Sequence, residues 1–175
     1  PTSVAGTAGN TQVSLPWTAP ASNGGSAITD YVVESSPDST TWTVFADGVS
    51  TAASATVTGL TNGTAYTFRV SATNVAGTGA TSTVSGSVTP RTVPGAPTSV
   101  AGTAGNTQVS LTWTAPVSNG GSAITDYVVE FNDGVSWATF ADGTSTAASA
   151  TVTGLTNGTA YTFRGSATNA AGTGA

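Results

Sequence analysis

A long internal repeat constrains this chain more than any other feature of its sequence. The fifteen-residue run PTSVAGTAGNTQVSL begins at Pro1 and occurs again, letter for letter, at Pro97. The match continues beyond this run, because Trp17 is matched by Trp113 at the same offset of 96 residues. Self-similarity over such a period is typical of tandem modules that fold one after another. The sequence therefore predicts two copies of one small domain.

The module boundaries follow from where the copies begin and where prolines cluster. The nine residues TPRTVPGAP, which end at Pro97, contain three prolines. Proline restricts the backbone, so this stretch is expected to form a semi-rigid extended spacer. We predict a first module at residues 1–89, a proline-rich linker at residues 90–96 and a second module at residues 97–175.

Hydrophobic residues within each module alternate with polar ones. Val13, Leu15 and Trp17 follow a period of two, and so do residues 66–72. Such alternation is typical of half-buried β-strands, and turn clusters such as SNGGS at residues 22–26 separate the runs. About seven short strands per module, with no competing helix signal, predict an all-β fold in which two antiparallel sheets pack as a sandwich.

Several residues at fixed positions carry a resemblance to a known family. The run LTNGTAY from Leu60 to Tyr66, followed by VSATN from Val70, resembles the pattern of bacterial fibronectin type III repeats. The resemblance implies two tandem seven-strand Greek-key β-sandwiches of the fibronectin type III or immunoglobulin-like kind. It also implies that strands A, B and E form one sheet and strands C, C′, F and G the other. Leu60 and Tyr66 are similar to the family's tyrosine corner, in which the hydroxyl ties a loop to the next strand. The structural residues that we infer are Trp17, Tyr31, Leu60, Tyr66, Trp113, Tyr127, Leu155 and Tyr161.

The second module stops before any counterpart of residues 81–89, which are expected to form the last strand of the first module. We therefore predict that the second sandwich lacks its last strand, which leaves the backbone of the preceding strand unpaired. Two explanations are open at this point. The chain is a window on a longer array, or a neighbouring copy of the chain donates the missing strand.

Two differences between the copies fall within predicted strands. Pro16 stands where the second copy has Thr112, and proline removes a hydrogen bond from a paired strand. Val70 stands at an inward position where the second copy has Gly165, and the loss of a buried valine costs about 2 kcal/mol. Both Pro16 and Gly165 are expected to be weak points of their modules.

The chain lacks the side chains on which most catalytic sites depend. It contains no His, Cys or Lys, so the usual general bases and activated nucleophiles are missing. Asp30 and Glu34 share one face of a predicted strand at a separation of about 13 Å, too far for paired carboxylate chemistry. Glu34 is instead expected to pair with Arg69 across neighbouring strands. The same pairing is expected between Glu130 and Arg164. We predict no catalytic, cofactor-binding or metal site and no enzymatic activity.

The charge of the chain excludes two classes of partner. The formal net charge is −5, and the only basic residues are three arginines. Phosphate contacts need clustered Lys or Arg, so a nucleic acid partner is excluded. No run approaches the roughly 18 apolar residues of a membrane span, so we expect no direct membrane insertion. A fold without cysteine fits an extracellular protein on a bacterial cell surface or a virion surface.

Recognition would most naturally use the polar loops at one pole of each module. The loops of the first module lie at residues 22–26, 48–52 and 74–80. They lack the Trp, Tyr or Arg that usually anchor an interface. The candidate binding residues are Ser22, Asn23, Asn74 and Thr78 in the first module and Ser118, Asn119, Asn169 and Thr173 in the second.

Two functional hypotheses follow from these features. The first is a non-catalytic extracellular structural repeat that acts as a spacer in a bacterial or phage surface protein, within a stalk, fibre or coat. The second is a weak, multivalent adhesion or glycan-binding module on an adhesin, a secreted carbohydrate-active enzyme or a phage particle. The expected partners are neighbouring modules of the same array. Other copies of the chain, a glycan and a cell-surface receptor are further candidates.

Overall fold

The computed structural model describes residues 1–175, which divide into two compact units. Unit 1 comprises Pro1–Arg91 and unit 2 comprises Thr92–Ala175. The predicted linker is thus divided between the units, because residues 92–96 belong to unit 2. All regular secondary structure is β-strand, and the chain has no helix long and apolar enough to cross a membrane.

Each unit contains seven β-strands. Those of unit 1 are β1 (Thr7–Gly9), β2 (Gln12–Pro16), β3 (Asp30–Ser36), β4 (Thr43–Phe45), β5 (Ser54–Thr58), β6 (Thr67–Asn74) and β7 (Gly77–Thr78). Those of unit 2 are β8 (Thr98–Gly105), β9 (Gln108–Thr114), β10 (Asp126–Asn132), β11 (Trp137–Phe140), β12 (Ser149–Thr153), β13 (Thr162–Asn169) and β14 (Gly172–Thr173).

The strands of each unit form two antiparallel sheets. In unit 1 the strand orders are β1-β2-β5 and β4-β3-β6-β7. In unit 2 the corresponding orders are β8-β9-β12 and β11-β10-β13-β14. These are the sheets predicted for strands A, B and E and for strands C′, C, F and G. The prediction of two all-β sandwiches is confirmed.

Alternation along the strands places one set of side chains between the two sheets. In β2, Val13 and Leu15 are fully buried while their neighbours in the strand are exposed. Phe68 and Val70 of β6 are also fully buried. Burial of a Val, Leu or Phe side chain stabilises the fold by about 1.5–3 kcal/mol. The buried core of unit 1 is Val4, Val13, Leu15, Trp17, Tyr31, Val33, Val57, Leu60, Phe68 and Val70. The buried core of unit 2 is Leu111, Trp113, Tyr127, Val129, Val152, Leu155 and Ala167.

An edge-to-face aromatic pair lies in each core. The rings of Trp17 and Tyr31 have centroids 5.2 Å apart and planes inclined at 65°. Trp113 and Tyr127 repeat this geometry at 5.2 Å and 62°. Such pairs contribute about 0.5–1.5 kcal/mol beyond the area that they bury. In both units the indole N–H of the tryptophan is buried without a hydrogen-bond acceptor. The sequence repeat is therefore a repeat of core geometry as well.

A tyrosine fixes the loop that precedes the sixth strand of each unit. The hydroxyl of Tyr66 accepts a hydrogen bond from the backbone N–H of Thr61 at 3.3 Å. Tyr161 accepts the equivalent bond from Thr156 at 3.2 Å. Each hydroxyl thereby ties its loop to the ring that packs against the core, which is the geometry implied for a tyrosine corner.

Proline shortens the first strand of unit 1. The N–H of Ala5 donates to the carbonyl of Pro16 at 3.3 Å, but Pro16 has no N–H with which to return a bond. In unit 2, Thr112 pairs with Ala101 within the regular ladder. Strand β8 accordingly extends over eight residues, whereas β1 extends over three. Because β2 is the central strand of its sheet, the lost bond lies inside the sheet rather than at its edge.

The last strand of unit 1 differs from the prediction at residues 81–89. The regular pairing is confined to β7, after which the chain follows β6 as an irregular extended segment. The N–H of Ser82 donates to the Val70 carbonyl at 2.8 Å, and the Ser82 hydroxyl accepts from the Val70 N–H at 3.1 Å. Ser85 makes the same two bonds to Phe68, at 2.8 and 3.0 Å. Serine hydroxyls thus replace backbone carbonyls, which makes the ladder irregular.

Strand β13 of unit 2 is paired along only part of its outer edge. Beyond β14, the N–H of Gly174 donates to the carbonyl of Ala167 at 2.8 Å. The edge of β13 at Phe163 and Gly165 carries no paired strand. Phe163 is half-buried, whereas its counterpart Phe68 is fully buried. Unit 2 therefore contains the short β14, and the sequence ends at Ala175, before any counterpart of residues 81–89.

Unit 1 ends on a packed proline and an exposed arginine. Pro90 is fully buried, and its carbonyl accepts a hydrogen bond from the N–H of Gly63 at 2.9 Å. The N–H of Arg91 donates to the Gly9 carbonyl at 3.0 Å, while the residue itself is exposed and lies in no strand. The first part of the predicted linker is thus packed on unit 1.

Candidate functional site

A tryptophan, an arginine and a glutamate meet on the outer face of one sheet of unit 1. Arg69 of β6 donates from Nε to Glu34 Oε2 at 2.7 Å and from Nη2 to Glu34 Oε1 at 3.0 Å. The same guanidinium lies over the ring of Trp42, 4.3 Å from its centroid. The bidentate ion pair is the one predicted from the sequence, and the cation–π contact adds to it. The hydrogen bonds that Arg69 donates to Glu34 raise the pKa of Arg69 above its usual value.

Unit 2 repeats this arrangement with its own residues. Arg164 donates to the two carboxylate oxygens of Glu130 at 2.7 and 3.1 Å, and its guanidinium lies 4.2 Å from the ring centroid of Trp137. The hydrogen bond between them lowers the pKa of Glu130 and raises the pKa of Arg164. The charges and one aromatic face are thus engaged within the unit, which leaves no free acid–base group here.

Sequence reasoning identified the ion pairs but missed the tryptophans. Strand β4 contains only three residues, too few for a period of two to show which face Trp42 occupies. Val44 of that strand is 59% exposed, so the alternation does not mark a buried face. A signal was nevertheless present. Trp42 and Trp137 stand at the same offset of 95 residues as Arg69 and Arg164.

Four of the carboxylates outside the ion pairs, those of Asp30, Asp38, Asp126 and Asp133, accept hydrogen bonds from loop backbone. Asp38 Oδ1 accepts from the N–H groups of Thr41 and Thr40 at 2.7 and 2.8 Å. These bonds hold the pKa of Asp38 well below its usual range. Asp30 Oδ1 accepts from the N–H of Ser50 at 2.9 Å. The structure brings together no group of three or more carboxylates that could hold a metal ion.

Three of the predicted binding residues of unit 1 converge at one pole. The Asn74 side-chain amide donates to the Asn23 carbonyl at 2.7 Å, and Asn74 Oδ1 accepts from the N–H of Ala76 at 2.9 Å. Ser22 Oγ accepts from the N–H of Gly24 at 3.3 Å. These contacts join the loop at residues 22–26 to the start of the loop at residues 74–80.

The fourth predicted residue of each unit lies in a strand rather than in a loop. Thr78 belongs to β7, and its hydroxyl shares a hydrogen bond with that of Thr73 at 2.9 Å. Thr173 belongs to β14 and pairs in the same way with Thr168 at 2.8 Å. A two-residue strand gives no alternation that a sequence could reveal, so both threonines were expected in loops.

The converging loops of unit 1 border a groove of about 500 Å³, which we call the pole groove. Its lining contains no acidic, basic or aromatic side chain. The polar groups that it offers are amides, hydroxyls and backbone atoms, which can hold a neutral ligand but cannot move a proton at neutral pH. Its lining residues include Pro1, Ser22, Asn23, Gly24, Asn74 and Gly79.

The corresponding pole of unit 2 is occupied by residues 92–96 of that unit, which we call the lead-in segment. The N–H of Thr92 donates to the Gly120 carbonyl at 2.9 Å. The N–H of Gly95 donates to the Ser118 carbonyl at 2.9 Å. The predicted binding residue Ser118 therefore contacts the unit's own chain through its backbone.

Asn169 also holds the lead-in segment in place. Its side-chain amide donates to the carbonyl of Thr92 at 2.8 Å and to the carbonyl of Asn119 at 2.7 Å. Asn169 is 4% exposed, so both bonds form in a largely buried setting. Two of the predicted binding residues of unit 2, Ser118 and Asn169, thus hold a segment that the sequence indicated only as a linker.

The sandwich topology, the tyrosine corner and the repeat all agree with a comparison against protein-family models. The model of the fibronectin type III domain matches residues 1–88 and, separately, residues 95–175. The chain belongs to the fibronectin type III domain family. The resemblance inferred from the sequence is confirmed. Fibronectin type III domains are a non-catalytic type of module, and each unit of this chain is one such domain.

Curated relatives carry similar fibronectin type III segments within much longer proteins. The chain is 37% identical over 170 residues to Chitinase A1 of Niallia circulans, an alignment that covers 91% of this chain and 22% of that protein. It is also 37% identical over 171 residues to Endoglucanase B of Cellulomonas fimi, covering 91% of this chain and 15% of that protein. The chain thus spans less than a quarter of the length of either relative.

A solved structure of titin domains shares the fold of the fibronectin type III units. The TM-score is 0.60 at 24% sequence identity, and the match covers 96% of this chain and 57% of the titin chain. At this identity the likeness concerns the fold alone.

Proposed function

We propose that this chain is a non-catalytic spacer segment of a bacterial protein that acts outside the cell. The observation that carries the proposal is a cluster on the outer face of each unit, which we call the outer-face stack. It consists of Trp42, Arg69 and Glu34 in unit 1 and of Trp137, Arg164 and Glu130 in unit 2. Trp42 and Arg69 are the residues of unit 1 best suited to anchor a ligand, and they are engaged with each other, while Arg69 is also paired with Glu34. A surface whose anchoring groups are already paired favours a structural role over tight recognition.

The relatives support the extracellular and non-catalytic parts of the proposal. The names Chitinase and Endoglucanase denote enzymes that act on polysaccharides, and this chain corresponds to a small share of each. The catalytic work of such a protein would be done by other domains, with these modules setting a distance between functional parts. The same role fits a stalk, fibre or coat on a cell or virion surface.

The distance between the two units tests the spacer proposal. The chain contains no cysteine, so Thr83→Cys together with Thr144→Cys places one spin label on an exposed site of each unit. Pulsed electron resonance should give a narrow distance distribution. Insertion of Gly-Gly-Ser-Gly-Gly after Arg91 should broaden the distribution, because a flexible linker samples many separations. Equally broad distributions with and without the insertion would contradict a spacer.

A weak, multivalent glycan-binding role is the second candidate, and the pole groove is the observation that favours it. The groove presents the amides of Asn23 and Asn74, and neutral polar groups suit sugar hydroxyls. We expect any affinity to be low, because no aromatic ring lines the groove. Titration of the isotope-labelled chain with chitohexaose or cellohexaose measures this directly. If no amide signal around the groove moves at millimolar sugar, the glycan hypothesis fails.

A further inference from the structure

The dipeptide Asn119–Gly120 contacts the lead-in segment of unit 2, and its second residue must be glycine. Gly120 has a positive φ of 71°, and a methyl group added to it would overlap the carbonyl oxygen of Thr92. The carbonyl of Gly120 in turn accepts a hydrogen bond from the N–H of Thr92. A residue with a side chain would therefore displace the lead-in segment.

The same glycine opens Asn119 to attack by its own backbone. Asparagine is one of the thermolabile residues of proteins, and a following glycine has no Cβ to shield its amide nitrogen. We propose that Asn119 is a site of spontaneous deamidation and that the isoaspartate product releases the lead-in segment from the pole of unit 2. This modification goes beyond the spacer role, because it changes the linker covalently as the molecule ages.

The reaction consumes only water. The Gly120 nitrogen attacks Cγ of Asn119 and closes a succinimide ring, while the bond from Cγ to Nδ2 breaks. The Gly120 N–H proton leaves with Nδ2 as ammonia. Water then opens the ring at Cγ, which gives aspartate, or at the backbone carbonyl carbon, which gives isoaspartate. In isoaspartate the main chain runs through the former side chain and is longer by a single carbon.

The side chain of Asn119 is free to react. Its Oδ1 accepts from the N–H of Gly121 at 2.9 Å, which folds the side chain back over its own backbone and polarises the Cγ carbonyl. Its Nδ2, the leaving group, makes no hydrogen bond, and the residue is exposed to water. Although Gly120 is buried, its N–H is held only by the hydroxyl of the exposed Ser118, at 3.2 Å.

Asn62 is a natural comparison, because it is also followed by glycine but is held at both ends of its side chain. Its Oδ1 accepts from the N–H of Thr11 at 2.8 Å, and its amide donates to Asn10 Oδ1 at 2.8 Å. The N–H of Gly63 donates to the carbonyl of the fully buried Pro90 at 2.9 Å. Each of these bonds must open before the ring can close, and each slows the reaction by about two- to tenfold.

Isoaspartate at position 119 alters both carbonyls that hold the lead-in segment in place. The Asn119 carbonyl accepts from the Asn169 amide at 2.7 Å, and the Gly120 carbonyl accepts from the Thr92 N–H at 2.9 Å. In the product, the first becomes a carboxylate outside the main chain, and the added carbon shifts the second relative to Thr92. Aspartate, in contrast, leaves the path of the backbone unchanged.

The test ages the folded chain in mildly alkaline buffer and locates the deamidated sites by tandem mass spectrometry of its peptides. We expect conversion at Asn119 to be faster than at Asn62 by about tenfold or more, because three hydrogen bonds restrain the second site. In concentrated urea the two rates should become similar, since both sites are then unfolded Asn-Gly pairs. Equal rates in the folded chain, or an unreacted Asn119, would overturn the proposed site.

Two variants test the chemistry of the site. Asn119→Gln keeps an amide but lengthens the side chain, which disfavours ring closure and should abolish the modification at this position. Asn10→Ala removes one bond to Asn62 and should speed deamidation there by about two- to tenfold without changing the rate at Asn119. An unchanged rate at Asn62 would show that hydrogen bonds do not protect it.

Hydrogen exchange tests the release of the lead-in segment. In the isoaspartate fraction, the Thr92 amide should exchange with solvent about tenfold faster than in the unmodified chain, because its hydrogen bond to Gly120 is weakened. Asn119→Asp and the aged Asn119→Gln chain are the matched controls, and both should keep the slow exchange. An isoaspartate fraction with equally slow exchange at Thr92 would overturn the release.

Discussion

At the scale of single residues, the two copies act as an internal mutant pair. Pro16 and Thr112 occupy equivalent positions in the central strand of a sheet, yet only threonine supplies an N–H to the neighbouring strand. The short β1 of unit 1 and the long β8 of unit 2 follow from this difference. A single side chain therefore sets the length of an element.

Replacing the proline should repair the ladder of unit 1. We expect Pro16→Thr to raise the free energy of unfolding of unit 1 by about 0.5–1.5 kcal/mol, because one backbone hydrogen bond is gained. Urea unfolding followed through unit 1 amide signals measures the change. The reverse substitution, Thr112→Pro, should destabilise unit 2 by at least as much. A stability of unit 1 that is unchanged or lower in Pro16→Thr would show that the Ala5 carbonyl gains nothing from a donor at this position.

The same scale shows why part of the candidate site could not be predicted. The partners of Glu34 and Arg69 follow from strand neighbours alone, so the ion pair could be predicted. The hydrogen bond between Thr92 and Gly120 could not be predicted, because it depends on how closely two loops and a linker approach each other. No local pattern in the sequence encodes that approach. Only the recurrence of glycine and asparagine at matched positions hinted at it.

At the scale of elements, serine hydroxyls replace backbone carbonyls as hydrogen-bond acceptors in the segment after β7. The N–H of Val70 is buried and finds its acceptor in Ser82 Oγ. The resemblance to fibronectin type III repeats implied a last strand at residues 81–89, but a family pattern does not show which atoms complete a ladder. The sheets could be predicted from alternation, whereas this substitution of hydroxyl for carbonyl could not.

Removing one of these hydroxyls should destabilise unit 1. Ser82→Ala leaves the Val70 N–H without its side-chain acceptor in a buried position, which costs about 1–3 kcal/mol. The loss should appear as a lower urea midpoint of unit 1 with an unchanged slope. Ser87→Ala is the matched control, because Ser87 is exposed in the same segment and its hydroxyl makes no hydrogen bond to β6. Equal effects of the two substitutions would show that the Ser82 hydroxyl does not matter.

Acid should weaken the outer-face stack of unit 2. The pKa of Glu130 is lowered from its ordinary value of 4.5 by the hydrogen bond from Arg164. A lowered folded-state pKa means that the pair stabilises the fold above the unfolded-state pKa and that this contribution is lost as pH falls through the folded-state pKa. The stability difference between the chain and Glu130→Gln should therefore be largest near pH 7 and shrink below pH 4.5. A difference that stays constant down to pH 2 would contradict the ion pair as its source.

At the scale of the whole molecule, two domains with nearly identical sequences have unequal cores. Val70 is fully buried in unit 1, while Gly165 of unit 2 contributes no side chain at that position. Because each unit has its own core, their stabilities need not be equal.

Unit 2 should therefore unfold before unit 1. We expect two transitions on heating or in urea, with the amide signals of unit 2 lost first. Gly165→Val should move only the earlier transition upward, by about 1–2 kcal/mol, because valine adds buried apolar area and favours the strand. Val70→Gly is the matched loss in unit 1. A single transition in which both units melt together would show that the units are not independent in stability.

The position of Arg91 gives the molecule a natural site for proteolytic dissection. Trypsin cleaves after arginine and lysine, and this chain has three arginines and no lysine. Arg69 and Arg164 lie inside paired strands and are held in ion pairs. Arg91, in contrast, is exposed and lies outside every strand. Brief digestion of the folded protein should thus release two fragments, residues 1–91 and 92–175. The second fragment would keep its lead-in segment attached, ready for study without recloning.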